Sequence, residues 1–162
     1  MSPPRPLGPR TFTRRTLLAV SAAGLAVVAT GCTSSPPVDE RNAVTSEQAD
    51  ELAAQVAVQE TLVRAYQLAF DADPALAAVI DDLAGQAREQ LDRLRAAAPG
   101  STPTAPAPPD TPPPGQGQDW LRAQVAVAAT SHATAALDQS GARAALLGSV
   151  AAGLRGHEAR LA

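Results

Sequence analysis

The stretch Pro99–Gln118 reads PGSTPTAPAPPDTPPPGQGQ and separates two halves of the chain that resemble each other. Before it stands Ala54-Gln55-Val56-Ala57-Val58. After it, 69 residues on, stands Ala123-Gln124-Val125-Ala126-Val127. Arg88, Arg93 and Leu94 recur 67 residues later as Arg155, Arg160 and Leu161. The smaller second offset makes the hairpin of the second copy about two residues tighter. The chain reads as one helical hairpin written twice, joined by a proline-rich connection.

Outward from that connection, apolar residues recur in steps of three and four, the period of a helix with one buried face. Thr45 and Gln48 fit a capping box that opens the first helix. Its inward stripe is Ala49, Leu52, Val56, Gln59, Val63, Tyr66 and Phe70. Asp73-Pro74 closes the hairpin, with Asp73 as N-cap and Pro74 at the first helical position. The second helix turns Leu76, Ile80, Leu83, Ala87, Gln90 and Leu94 inward and ends near Ala98, before Pro99-Gly100. Asp119 is the expected cap of a third helix carrying Leu121, Val125, Ala128, His132 and Ala135. Ser140-Gly141 breaks the chain, and a fourth helix follows with Leu147, Val150, Leu154, His157 and Leu161. Gly148, Gly153 and Gly156 weaken that last helix by roughly 1 kcal/mol each against alanine.

Composition agrees with an all-α reading. Alanine dominates, aromatic residues make up 2%, and every one of the 13 basic residues is arginine. The core therefore has to be built from Leu, Val and Ala. The first 31 residues hold four arginines and no acid, which leaves nine basic against sixteen acidic groups, a net charge of about −7. An acidic chain without a basic stripe cannot displace counterions from phosphates, which excludes nucleic acid as a partner.

Residues 1–31 have the layout of an export signal: a basic start, an apolar run to about Val28, then small residues before a cut. Arg14-Arg15 followed by Leu17-Leu18 resembles the twin-arginine signal. Ala29-Thr30-Gly31-Cys32 resembles a bacterial lipobox, although leucine is commonest where Ala29 stands. The thiol of Cys32, the single cysteine, would take a diacylglyceryl thioether and become the new N-terminus. Residues 32–44 would then tether the domain to the outer side of the cell membrane. The alternative is an uncleaved signal anchor with a stray cysteine, but the apolar run is shorter than the roughly 20 residues a span needs.

The connection also bears on topology. A second helix of about 25 residues is about 37 Å long, and twenty extended residues reach roughly 60 Å. Such a connection can run the length of a four-helix bundle and start the third helix parallel to the second. A simple up-and-down bundle needs only a few residues there. The alternative is a spacer between independent hairpins, neither of which could bury its apolar stripe alone.

A duplicated helical hairpin with a long middle crossover resembles the ferritin-like family, over residues 45–162. With its leader, the chain is similar to a branch of that family of unassigned function in twin-arginine-exported bacterial lipoproteins. Di-iron members place a Glu on the first and third helices and Glu-x-x-His on the second and fourth. Carried over by position, the resemblance puts Glu60 on the first helix and Ala129 at its counterpart. Ala87 and Gln90 fall on the second helix, Leu154 and His157 on the fourth. Glu60 and His157 alone survive as metal ligands, so a di-iron oxidase is not implied.

Gln59, Gln90, His132 and His157 nevertheless fall on inward stripes. One reading makes them core groups that satisfy one another by hydrogen bonds. The other makes Glu60, His132 and His157 a reduced mononuclear site for Fe or Zn. His157, near the chain end, also has a third reading as an exposed residue. Asp81-Asp82 has no identifiable partner, and Trp120 closes one bundle end or anchors a contact. No Ser/His/Asp arrangement or phosphate-binding loop is present. The expectation is a lipid-anchored, non-catalytic binding or interaction module, with a homodimer or another envelope protein as partner. The alternative is a metal-binding or redox protein.

Overall fold

The structure is a computed structural model and describes residues 44–98 and 109–162. The leader residues Arg14 and Arg15 and the lipidation candidate Cys32 lie outside the described residues. All secondary structure described is helical: α1 (Ser46–Ala72), α2 (Pro74–Ala97), α3 (Gly117–Asp138) and α4 (Gly141–Arg160). None of these helices is long and apolar enough to cross a membrane.

Local chemistry accounts for most of the boundaries. Thr45 Oγ1 accepts from the Gln48 amide and Gln48 Oε1 from the Thr45 amide, a complete capping box. Asp73 accepts from the Ala75 amide at 3.1 Å, with Pro74 at the first position of α2. At the other hairpin Gly141 takes a φ of 55°, left-handed backbone that a side chain resists. The third helix corrects the expected boundary. It starts at Gly117 with Gln116 as N-cap, so Asp119 sits inside the first turn, where its charge favours the helix dipole. α2 is not straight: Ile80 has φ −130° and ψ 19°, a kink near its start.

Side-chain contacts give the helix directions. Gln48 lies beside Asp138 and Gln139, and Gln55 beside Ser131, so α1 and α3 are antiparallel. Asp82 meets Arg160, and Gln86 meets His157, so α2 and α4 are antiparallel. Gly117 lies against Ala69 and Asp73, and Gln118 donates to the Leu161 carbonyl. The third helix therefore starts at the end of the bundle where α2 also starts, and the two run parallel. The chain between Ala97 and Gly117 has to cover the length of α2, about 36 Å for 24 residues. The two hairpins meet closely along α1 and α3 but only at a few points along α2 and α4.

One hydrophobic core runs through all four helices, from Leu52 and Tyr66 to Leu83, Leu121, Val125, Leu147 and Leu154. The inward stripes expected for α2, α3 and α4 are buried throughout. The stripe of α1 is wider and rotated. Ala49 is exposed, Val63 and Phe70 are half-buried, and Gln55, Leu62, Ala65 and Ala69 are buried instead. This helix is flanked by α2 on one side and α3 on the other, so more than one face is covered. Trp120 is half-buried and packs against the core.

Candidate functional site

The polar residues inside the bundle form two clusters on successive levels of α1. At the first, Gln59 is the hub. Its Nε2 donates to the Ala87 carbonyl at 3.0 Å and to Gln90 Oε1 at 3.1 Å. Both amide protons are thereby used, so Gln59 Oε1 faces His132 Nε2 at 3.0 Å as an acceptor. His132 is therefore the tautomer with its proton on Nε2. It is fully buried, and burial pushes its pKa down to about 4, so the ring is neutral at pH 7. Its Nδ1, a bare lone pair in this tautomer, has no partner.

Seven residues along α1, about 10 Å at 1.5 Å per residue, Tyr66 marks the second level. It is fully buried, and its hydroxyl lies 3.0 Å from His157 Nδ1. His157 Nε2 lies 3.2 Å from Gln86 Oε1, an acceptor, so the ring donates there and receives the phenol proton at Nδ1. Burial raises the pKa of Tyr66, and lowers that of His157 with help from nearby Arg160. The rings of Tyr66 and Phe70 meet edge-on at 6.2 Å. The reading of His157 as an exposed end residue is corrected: it is 2% exposed.

Glu60 belongs to neither level. Its carboxylate pairs with Arg95 at 2.7 Å on the outer side of the α1–α2 seam. Glu60, His132 and His157 are thus not brought together. Among the described residues no group of three or more His, Cys, Asp or Glu is placed to hold a metal ion. The physical reason is registry: the rings sit two turns apart along α1, and the carboxylate points away toward an arginine. The di-iron ligand set does not fit either. Ala129, Ala87 and Leu154 are buried where donors would be required, and apolar side chains offer a metal nothing.

Several contacts join residues far apart in the chain and had no signal in it. Asp82 is held by Arg160 in a two-pronged pair, which lowers the pKa of the Asp82 carboxyl. Gln55 receives a hydrogen bond from Ser131 at 3.2 Å. Gln86 gives no signal in the sequence, and Gly153 only that of a weak helix position, yet each touches an interior polar group. Beside the interior, an apolar groove of about 150 Å³ opens between α1 and α3. Val58, Thr61, Leu62, Gln124, Val127 and Ala128 line it, so each of the two echoed pentapeptides contributes to this one seam. Comparison with protein-family models, with curated proteins and with solved structures finds no match.

Proposed function

We propose that this chain is an exported lipoprotein, tethered to the outer side of the membrane through Cys32, whose ferritin-like bundle serves as a non-catalytic binding or interaction module. The observation that carries the non-catalytic reading is the mutual hydrogen bonding of the interior polar groups. Gln59 binds Gln90 and the Nε2 of His132, and Tyr66, His157 and Gln86 are bonded to one another, which leaves His132 Nδ1 as the one ring nitrogen of the two histidines without a partner. Groups consumed in this way position the core rather than a substrate. Support for the ferritin-like topology comes from the helix directions, with two antiparallel hairpins and parallel α2 and α3. It also comes from burial at one offset: Ile80, Leu83, Ala84, Ala87, Gln90 and Leu94 are buried, and so are the residues 67 positions after each.

The second reading, a metal-binding or redox protein with a reduced Fe or Zn site, has one observation on its side, the unpartnered Nδ1 of fully buried His132. Two measurements on the full chain test these readings. Labelled palmitate incorporated by the protein and lost in Cys32→Ala supports the anchor; its absence from both removes it. Stoichiometric iron or zinc in protein purified without chelator, lost in His132→Ala, replaces the non-catalytic reading with the metal one.

A further inference from the structure

Asp82, Gln86 and Gln90 follow one another along α2 in steps of four, so they share one face. That face looks onto α4: Asp82 meets Arg160, Gln86 meets His157, and Gln90 reaches Gly153. The wall opposite carries small residues at the helical period, Ser149, Gly153 and Gly156. Small side chains ordinarily let two helices draw together. Yet α2 and α4 touch at only a few points, so the seam is wider than its side chains require.

Both glutamines have their side-chain oxygens engaged inside the bundle. Gln86 Oε1 accepts from His157, and Gln90 Oε1 accepts from Gln59, whose own orientation the Ala87 carbonyl fixes. Their NH2 groups are left over: Nε2 of neither has a partner among the described residues. Gln86 is exposed. Gln90 is only 8% exposed, and its Nε2 stands beside Gly153, where α4 has no side chain to close the seam over it. A nearly buried donor without an acceptor is costly. The charges nearest in the pattern, Asp82, Glu89 and Arg93, are already paired, with Arg160 and with each other. What the seam lacks is thus a neutral acceptor. We propose that Gln86 and Gln90 form a site for the carbonyl groups of an extended, proline-rich segment.

The two glutamines have donors to give and no oxygen to spare, so they favour a ligand whose carbonyls come without N–H groups. Amides at proline have that property, and a proline-rich chain is extended before it binds, which lowers the entropic cost. The two NH2 groups are four residues apart, about 6 Å along α2, and alternate carbonyls of an extended chain recur every 6 to 7 Å or so. Neither α2 nor α4 carries Phe, Tyr or Trp. Without an aromatic wall the site is a weak one, suited to a tethered or membrane-confined ligand. This chain carries such a stretch itself, Pro99–Pro114, and it has to travel the length of α2. A second protein can offer the same chemistry. The inference rests on the interaction-module reading and deepens it by naming what is bound.

The test reads the side-chain NH2 protons of Gln86 and Gln90 by NMR in the isotope-labelled full chain, held in detergent. One arm adds the capped peptide PGSTPTAPAP, the sequence of residues 99–108. The other arm makes Pro103→Ser, Pro106→Ser and Pro108→Ser together in the chain itself. If the ligand comes from another protein, the peptide shifts both NH2 groups and the substitutions do not. If the chain supplies its own ligand, the substitutions shift them and open the site to the peptide. In either case Gln86→Glu, which keeps an oxygen for His157 and removes the donors, should weaken peptide binding about fivefold, in the second case measured on the serine-substituted chain. Gly153→Ala, which displaces the Gln90 amide, should act in the same direction. The inference is overturned if neither arm moves the two NH2 groups, if a peptide with serine at every proline moves them equally, or if both variants bind as the unaltered chain does. Failure of the anchor or of the non-catalytic reading is separate, since palmitate labelling and metal content decide those.

Discussion

A Cβ added to Gly153 would stand 2.8 Å from Nε2 of Gln90, closer than two such atoms approach. The glycine on α4 thus makes room for the amide on α2, whose Oε1 accepts from Gln59, which in turn orients His132. At Gly148 and Gly156 an added methyl group would meet nothing within 4 Å. Alanine at either should stabilise the protein by about 1 kcal/mol through helix propensity. Gly153→Ala should gain less than these two, because the Gln90 amide has to shift away from the new methyl group. Denaturant midpoints of the three variants check this, and an equal gain in all three would break the link between Gly153 and Gln90.

Gln59 serves three buried partners. Gln59→Ala removes them together and should cost on the order of 3 kcal/mol or more, since each group left unpaired inside is penalised. Gln59→Leu combined with His132→Leu removes donor and acceptor alike and should be much milder than the two single changes summed. A double-mutant cycle by urea unfolding reads the coupling; additive losses would mean that the two side chains do not act as a pair.

Tyr66→Phe deletes the hydroxyl that donates to His157 Nδ1 and leaves the ring packing against Phe70 in place. The expected loss is about 1 kcal/mol, the ordinary net value of one hydrogen bond. The same change made in a His157→Leu background should cost nearly nothing. Thermal or chemical melting of the four proteins decides it.

Acid should loosen the bundle through its histidines. His132 titrates at about 4 in the folded chain, and His157 is lowered in the same direction. The unfolded state therefore takes up protons first. The stability that these neutral rings contribute is complete above pH 6.5 and is lost as the pH falls through 6.5 toward 4. Urea midpoints measured across that window should drop in the wild type and drop less in His132→Leu. A flat profile would show that the imidazole is not held neutral inside.

Much of this architecture is written locally in the chain. Thr45 with Gln48, Asp73 with Pro74 and Ser140 with Gly141 mark ends by short-range chemistry, and the inward stripes of α2, α3 and α4 follow directly from period. The stripe of α1 is only partly legible, because two flanking helices bury Gln55, Leu62 and Ala65 beyond a single face. The start of α3 lies three residues before the position its sequence suggests, since Asp119 suits a cap and a first turn equally well. The pairings Glu60–Arg95, Asp82–Arg160 and Tyr66–His157 depend on helix registry across 35, 78 and 91 residues. No spacing in one sequence encodes such a distance. His157 shows the difficulty best: a histidine five residues from the end of the chain looks free until the helix carrying it is docked.

The unequal seams between the hairpins give the bundle a hinge. With α1 and α3 in close contact and α2 and α4 touching at few points, the least costly opening is that of a book whose spine is α1–α3. Its clasp is then the set of contacts across the fore-edge: Asp82 with Arg160, Gln86 with His157, and Gln90 beside Gly153. Breathing at that edge would wet the Tyr66–His157 level while the spine stays shut, so backbone amides of α2 and α4 should exchange with solvent before those of α1 and α3.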